Sequence, residues 1–277
     1  EVANLVEDPN FAVGTFDPDF LQLPAEVLVT AMASHQRYFA MRDAEGRLLP
    51  RFGVVANNRA RDMAVVVRGN ERVLAARLYD ARFFWNQDLK AGIATMAERL
   101  SQRLFLKGAG DMAEKTVRVR ALVAVLADAV GADAAVRDVA QRAAALCKAD
   151  LMSHLVGEFP ELQGVMGMYF ARGAGESEEV AQAIREHYLP RFADDGLPAS
   201  PAGGLLALAD RLDSIVACFR AGAVPTGSKD PLGLRRQAIA VLKLLNAPAF
   251  RALGLGHALD LAGLEPAAAL CEILNED

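Results

Sequence analysis

A glycine-rich segment at residues 224–238, VPTGSKDPLGLRRQA, has the residue types that many proteins use to hold phosphate. Gly222 and Gly227 have the spacing of a nucleotide-binding loop, and a serine and a lysine follow. In such a loop the lysine comes directly after the second glycine, so that its ammonium reaches the β- and γ-phosphates. Here the serine comes before Lys229, and Pro225 removes a backbone donor. We therefore interpret the segment as a rigid turn.

The turn is followed by a helix that begins with cations. Asp230 and Pro231 are residue types that cap and start helices. Arg235 and Arg236 come next, at the start of an apolar run. The sequence therefore predicts a capped helix with two arginines in its first turns.

Two aspartates lie within apolar helical sequence, Asp150 in LCKADL and Asp210 in LALADRLD. A carboxylate in such a setting needs a partner, which is a metal ion, a cationic side chain or a helix N-terminus. The four histidines form no HExxH, HxH or Cys/His cluster. Asp150 and His154 are four residues apart and would share a face on a continuous helix. His187 lies at a predicted helix end, where a cation suits the helix dipole.

The composition indicates a packed, mostly helical protein. Hydrophobic residues make up 53% of the 277 residues and charged residues 23%. Three widely spaced cysteines in apolar helical sequence, Cys147, Cys218 and Cys271, predict buried free thiols. No apolar run approaches the roughly 20 residues that span a bilayer, and we expect a cytoplasmic protein. Because the chain begins at Glu1, we expect it to be a piece of a longer protein.

The charge is distributed unevenly along the chain. The net charge is −5, but residues 51–120 carry 14 Lys/Arg against seven Asp/Glu, a local net of +7. A basic centre in an acidic chain is typical of a local polyanion-binding surface. The alternative is that these arginines pair with acids on neighbouring helices, and the sequence leaves both open.

The elements that position these residues follow from periodicity and turn signals. Residues 1–20 are predicted as loop, and Pro24 opens a short helix to about residue 35. Strands at 37–41 and 49–56 form a predicted hairpin. An amphipathic stripe then runs through Leu89, Ile93, Met96, Leu100 and Leu104. Further helices are predicted at 112–130, 133–156, 176–188, 202–221, 231–246 and 266–274.

Residues 112–215 resemble the HD superfamily of helical metal-dependent phosphohydrolases. That superfamily has an early histidine, a central His-Asp pair and a late aspartate in an ADRL-like helix. Asp150 and Asp210 match the two aspartates, but Lys115 and Ala149 replace the two histidines. Two carboxylates are too few ligands for a divalent metal, so we predict no metal at this degenerate HD site. Lys115 is instead expected to neutralise Asp150 or Asp210.

A second resemblance covers nearly the whole chain and rests on several long blocks in order. The blocks are LPAE (23–26), HQRYF (35–39), GNERV (69–73), RLYDARFF (77–84), EFPELQGVMG (158–167), YLPRFA (188–193) and PTGSKDP (225–231) with LRR (234–236). With these blocks, the chain is similar to the β subunit of the bacterial two-subunit glycyl-tRNA synthetase.

The resemblance implies a mainly α fold in three parts. Residues 1–66 would be the C-terminal part of an editing-like α/β module, 67–107 a helical connector and 108–277 an HD-like helical domain. It implies a heterotetrameric ligase whose α subunit uses ATP and Mg²⁺ to charge tRNA(Gly). This fragment would bind tRNA and support assembly with the α subunit. It would have no cofactor and no catalytic residue of its own, and it would bind neither DNA nor a membrane.

The same resemblance directs attention to basic residues as contacts for the tRNA backbone. Lysine and arginine contacts with phosphate supply most of the affinity in such interfaces, and A-form RNA is recognised largely by shape. The candidates are Arg68, Arg72, Arg77 and Arg82 in the basic centre, and Lys229, Arg235 and Arg236 after the turn. Arg77 and Arg82 have an alternative interpretation as partners of Asp80 or Asp88.

Two other classes of function stay open at this point. A metal-dependent HD phosphohydrolase would bind a divalent metal and hydrolyse phosphate esters. An interaction scaffold would serve subunit assembly only, without contacting RNA.

Overall fold

The structure is a computed structural model that describes residues 6–34, 36–57, 60–192, 194–226, 230 and 232–263. The chain packs as two compact units. The first comprises residues 1–90 with 153–162, and the second comprises 91–152 with 163–277. The three-part division predicted from the sequence stays a prediction.

The first unit contains a small antiparallel sheet and two main helices. Its elements are β1 (Asn10–Thr15), α1 (Ala25–Ser34), β2 (Phe39–Arg42), β3 (Leu48–Ala56), α2 (Met63–Ala91) and α6 (His154–Glu158). The strand order is β1-β3-β2, and both pairs are antiparallel. Phe20, Leu28, Met32 and Phe52 are fully buried in the core of this unit. The predicted hairpin and the short first helix are confirmed.

The prediction of loop for residues 1–20 is wrong, because β1 lies there. β1 pairs with β3, so that Asn10 lies opposite Ala56 and Thr15 opposite Arg51. Gly14 lies against the ring of Phe52, where a Cβ atom would collide at 2.5 Å. β1 is stabilised by pairing with a strand about 40 residues later in the chain, and local turn signals do not reveal such a pairing.

The second unit is a helical domain built around one buried helix. This helix is α9 (Pro201–Arg220), of which residues 202–218 are all buried. Its remaining helices are α3 (Ile93–Glu98), α4 (Met112–Ala129), α5 (Ala134–Leu146), α7 (Val165–Gly173), α8 (Glu178–Glu186), α10 (Leu234–Leu245) and α11 (Leu255–Leu261). Four of these helices, α4, α5, α8 and α10, pack against α9. The predicted mainly α fold with a partial sheet is confirmed.

Two of the predicted continuous helices are interrupted. Gly92 has a φ of 76°, which only glycine adopts readily, and it separates α2 from α3. Leu104 does not continue the helical stripe but begins the short strand β4 (Leu104–Leu106), which pairs with β5 (Gly110–Asp111). The helix predicted at 133–156 ends as α5 at Leu146, and a 3₁₀ turn, Ala149–Met152, follows. The sequence also missed α7 and α11, and the helix predicted at 266–274 lies outside the described residues.

The cysteine prediction is confirmed where the structure describes it. Cys147 and Cys218 are buried free thiols, and Cys271 lies outside the described residues. Burial raises the pKa of Cys147 to about 12, so this thiol stays protonated and unreactive at neutral pH.

Candidate nucleic-acid interface and degenerate HD site

The four candidate arginines of the basic centre all lie on α2, but they differ in their surroundings. Arg68 and Arg72 are exposed and, within the described residues, have no acidic partner. Arg77 pairs with Glu158 across 3.3 Å. Arg82 lies over the rings of Phe20 and Tyr79, 4.7 and 4.9 Å from their centroids. Arg68 and Arg72 are therefore the two with charge most open to a polyanion.

Among the described residues, neither Asp80 nor Asp88 forms the alternative ion pair with Arg77 or Arg82. Asp88 is buried instead and binds the start of α6. Its carboxylate accepts hydrogen bonds from the backbone N–H groups of His154 and Leu155, both at 3.0 Å. It also contacts Nδ1 of His154 at 2.7 Å. Sequence reasoning missed this role, because the two partners lie more than 60 residues away along the chain.

Replacing Asp88 with alanine should lower the free energy of unfolding by about 2–3 kcal/mol, because it leaves buried donors without an acceptor. Urea unfolding monitored by circular dichroism measures this change. The matched control is Asp80→Ala on the same helix, since Asp80 is exposed and its loss should change stability little. Equal effects of the two substitutions would contradict this role of Asp88.

The second group of candidate residues lies at the start of α10. The carboxylate of Asp230 accepts hydrogen bonds from the N–H groups of Leu234 at 2.8 Å and Arg235 at 3.0 Å. Asp230 thus caps this helix, as predicted, although the helix begins at Leu234 and not at residue 231. Arg236 is exposed, and Arg235 is half-buried. Lys229 and Pro231 lie outside the described residues.

At the degenerate HD site, the structure brings Lys115 and Asp210 together. The Nζ atom of Lys115 lies 3.0 Å from Oδ1 of Asp210 and 3.0 Å from Oδ2 of Asp213. It also donates to Oγ of Ser214 at 2.8 Å. Asp210 is one of the two carboxylates that the sequence offered as partners of Lys115. Ala149 is buried in the 3₁₀ turn, Ala149–Met152.

A second lysine, which sequence reasoning missed, binds the other oxygen of Asp210. Nζ of Lys148 lies 2.8 Å from Oδ2 of Asp210 and 2.9 Å from Nε2 of His187. It also lies 4.2 Å from the centroid of the Tyr188 ring. We call Lys115, Lys148, His187, Asp210 and Asp213 the buried charged cluster, and all five are buried. The signal in the sequence was that Lys148 directly precedes Ala149, which stands at the position of the histidine in the His-Asp pair.

His187 is buried and neutral, so the prediction of a cation at the helix end is wrong. Burial and the neighbouring Lys148 ammonium lower its pKa well below the usual value. Its Nδ1 lies against the carbonyl of Ile184, so this nitrogen carries the proton and donates. Nε2 is then the acceptor for Lys148.

The charges in the cluster balance around Asp210. Burial alone would raise the pKa of Asp210, but the ammonium groups of Lys115 and Lys148 hold it well below the usual value. Asp213 has a further cation, since its Oδ1 lies 2.6 Å from Nε of Arg118. Both oxygens of Asp210 thus face ammonium groups. This arrangement fits an ion-pair network and not a cation site.

Asp150 caps a helix, and the nearby Lys148 ammonium also favours its charged form. Its Oδ2 accepts hydrogen bonds from the N–H groups of Gly164 at 2.6 Å and Gly167 at 3.1 Å, at the start of α7. The carboxyl is completely buried, and burial raises its pKa to about 6 against the opposing effect of these donors. Asp150 was the other carboxylate considered as a partner of Lys115, and it binds a helix N-terminus and not that lysine. No group of three or more His, Cys, Asp or Glu suited to a metal occurs in the described part of the chain.

Comparison with known proteins shows to which family the chain belongs. The family model described as "Glycyl-tRNA synthetase beta subunit" matches residues 1–264. The chain belongs to this family. The resemblance drawn from the sequence blocks is thus confirmed.

Curated relatives in this glycyl-tRNA synthetase beta-subunit family are close in sequence. The glycine–tRNA ligase beta subunit of Geobacter sulfurreducens is 51% identical over 245 residues, which are 88% of this chain and 35% of the relative. Those of Halalkalibacterium halodurans and Streptococcus gordonii are 47% and 48% identical, over 94% and 89% of the chain and 36% of each relative. The chain spans about a third of the length of these relatives. None of its described helices is long and apolar enough to cross a membrane.

Proposed function

We propose that this chain is part of the β subunit of a glycine–tRNA ligase and helps to bind tRNA(Gly) and to assemble the enzyme. The observation that carries the proposal is the family match over residues 1–264. The α subunit would carry out the ATP-dependent aminoacylation with Mg²⁺, and this fragment would hold neither. The enzyme would work in the cytoplasm, where its tRNA substrate is charged.

The proposed RNA contacts are electrostatic. Arg68 and Arg72 project from α2, and Arg236 projects from the start of α10. Among the described residues none of the three has an acidic partner, whereas Arg77 and Arg118 are bound by carboxylates. Basic side chains that are not neutralised within the protein are the ones that release counterions when they bind phosphate. This contrast supports contacts between these arginines and the phosphate backbone of the tRNA, although the chain as a whole is acidic.

The test is tRNA(Gly) binding by the complete α/β enzyme in which Lys229, Arg235 and Arg236 are changed to alanine. If the three side chains each contact a phosphate, affinity should fall and the slope of log affinity against log salt should become shallower by about 2–3. Fluorescence anisotropy over a salt series measures both quantities. Arg68→Ala with Arg72→Ala forms a second set, measured in the same way.

Arg142→Ala is the matched control, because it removes one arginine that is already bound by Glu176. It should change neither the affinity nor the salt slope. If the first set leaves both quantities unchanged, that group has no part in tRNA binding. If neither set alters tRNA binding but the complex still forms with the α subunit, the chain acts as an assembly scaffold.

A further inference from the structure

A small open cleft lies along one face of α10 and takes in the segment after α8. Its wall consists of Pro190, Phe192, Arg236, Ile239, Ala240 and Lys243, and its volume is about 240 Å³. The four helical residues have the spacing of one helix face, and two residues of the YLPRFA block form the opposite wall. We call this opening the α10 cleft.

The cleft exposes apolar surface that the fold does not use. The aromatic ring of Phe192 belongs to a residue that is 64% exposed, and Ile239 on the facing helix is 48% exposed. Most large apolar side chains of this unit are buried in its core. An exposed ring beside an exposed branched side chain in a concave site is typical of a surface that receives a flat ligand.

The backbone holds Phe192 in position without covering its ring. The N–H groups of Arg191 and Phe192 donate to Oδ2 of Asp195, at 2.7 and 3.2 Å. Nearby, the guanidinium of Arg211 donates to the carbonyl of Pro190 at 3.0 Å. A backbone segment that is held before binding loses little conformational entropy when a ligand stacks on its aromatic side chain.

The ionisable residues that line the cleft are basic. Arg236 and Lys243 lie in its wall, and no carboxylate of the described residues lines it. The whole of α10, LRRQAIAVLKLL, has three basic residues and no acidic one, in a chain whose net charge is −5. A ligand that complements this wall carries a flat apolar part and a negative charge on the same unit.

The size of the cleft limits the ligand further. Pockets for drug-sized molecules have volumes of roughly 300–1,000 Å³, so this opening suits a single planar group and not a whole dinucleotide or cofactor. Unpaired RNA bases are planar, can be turned out of a strand and stack on aromatic side chains. Each base is joined to a phosphate, and the cleft wall contains two basic side chains, Arg236 and Lys243.

We propose that the α10 cleft binds one unpaired nucleotide of the tRNA, with the base stacked on Phe192 and the phosphate held by Arg236 and Lys243. The inference rests on the proposed function, and it adds a stacking site to the electrostatic contacts described above. Phe192, Ile239 and Lys243 thereby become RNA-binding residues beside Arg236. A partner protein is a poorer occupant, because it would have to supply both a flat apolar group and carboxylates within this small opening.

The test compares tRNA(Gly) binding by the complete α/β enzyme and by its Phe192→Ala and Phe192→Trp variants over a salt series. Loss of one stacked base should weaken binding roughly 5- to 100-fold in Phe192→Ala. The salt slope should stay unchanged, because no cation is lost, and Phe192→Trp should keep near wild-type affinity. Arg236→Ala with Lys243→Ala should make the slope shallower. Phe11→Ala is the control for removing an exposed aromatic residue, since Phe11 is 62% exposed.

A competition experiment tests whether the nucleotide is unpaired. A short single-stranded RNA should displace tRNA from the wild-type enzyme better than a blunt hairpin with the same number of phosphates, and Phe192→Ala should remove this difference. The inference is wrong if Phe192→Ala binds tRNA like the wild type while the wild type retains its salt-dependent binding. It is also wrong if the two RNAs compete equally, or if Phe192→Ala impairs assembly with the α subunit and not RNA binding. Absence of tRNA binding by the wild type would overturn the proposed function itself.

Discussion

Replacing Asp210 with asparagine should lower the free energy of unfolding by about 3–5 kcal/mol, the cost of leaving buried charges without a partner. Both oxygens of Asp210 face lysine ammonium groups, at 3.0 Å from Lys115 and 2.8 Å from Lys148. Asparagine removes the negative charge but leaves both cations inside the helical domain. Urea unfolding at pH 7 measures the loss.

Two comparisons make this prediction specific. Arg142→Gln removes one partner of the more exposed Arg142–Glu176 pair and should change stability by no more than about 1 kcal/mol. Replacing Lys115 and Lys148 by methionine together with Asp210 by leucine should recover most of the loss, because it avoids the desolvation of three charges while Asp213 keeps its ion pair with Arg118. If Asp210→Asn is as stable as the wild type, the negative charge of Asp210 does not stabilise the two buried lysines.

Changing Asp150 to asparagine should alter how stability depends on pH. The pKa of Asp150 is about 6 in the folded protein and about 3.9 in an unfolded chain, so the folded state binds this proton more tightly. The stability that the protonated carboxyl contributes is fully present below pH 4 and is lost as the pH rises through 6. The shift corresponds to about 3 kcal/mol. Because the unfolded carboxyl is already about half ionised at pH 4, Asp150→Asn should gain about 2 kcal/mol relative to the wild type between pH 4 and pH 7.

The measurement is a series of urea unfolding curves from pH 4 to pH 7.5 for both proteins. The substituted asparagine side chain carries no charge, and its oxygen can still accept from the N–H groups of Gly164 and Gly167. Asp133→Asn is the matched control, because Asp133 caps the start of α5 from an exposed position. The explanation fails if the difference between wild type and Asp150→Asn is the same at pH 4 and pH 7.

The two aspartates that the sequence singled out both need partners, and the sequence could say so from their apolar surroundings alone. The sequence could not show which partner each aspartate has. Lys115 lies 95 residues from Asp210 in the chain, and either aspartate satisfied the pattern. The packing of α4 against α9 brings Lys115 next to Asp210. The 3₁₀ turn after α5 places Asp150 at the start of α7.

The basic residues show the same limit. Their enrichment between residues 51 and 120 is visible in the sequence, but whether an arginine is neutralised depends on which acid the fold brings near it. Glu158 reaches Arg77 from a segment 81 residues later. Arg82 lies over two aromatic rings, and Arg68 and Arg72 remain exposed.

The sequence by itself determined the family, the predominance of helices and the aspartate that caps α10. These follow from ordered blocks, from 3.6-residue periodicity and from short-range hydrogen bonds, all of which are local. Only the tertiary structure decided the pairing of β1, the cluster around Asp210 with Lys148 and His187, and the cleft that joins Phe192 to α10. Each of these depends on contacts between residues far apart in the chain, and a single sequence does not record such contacts.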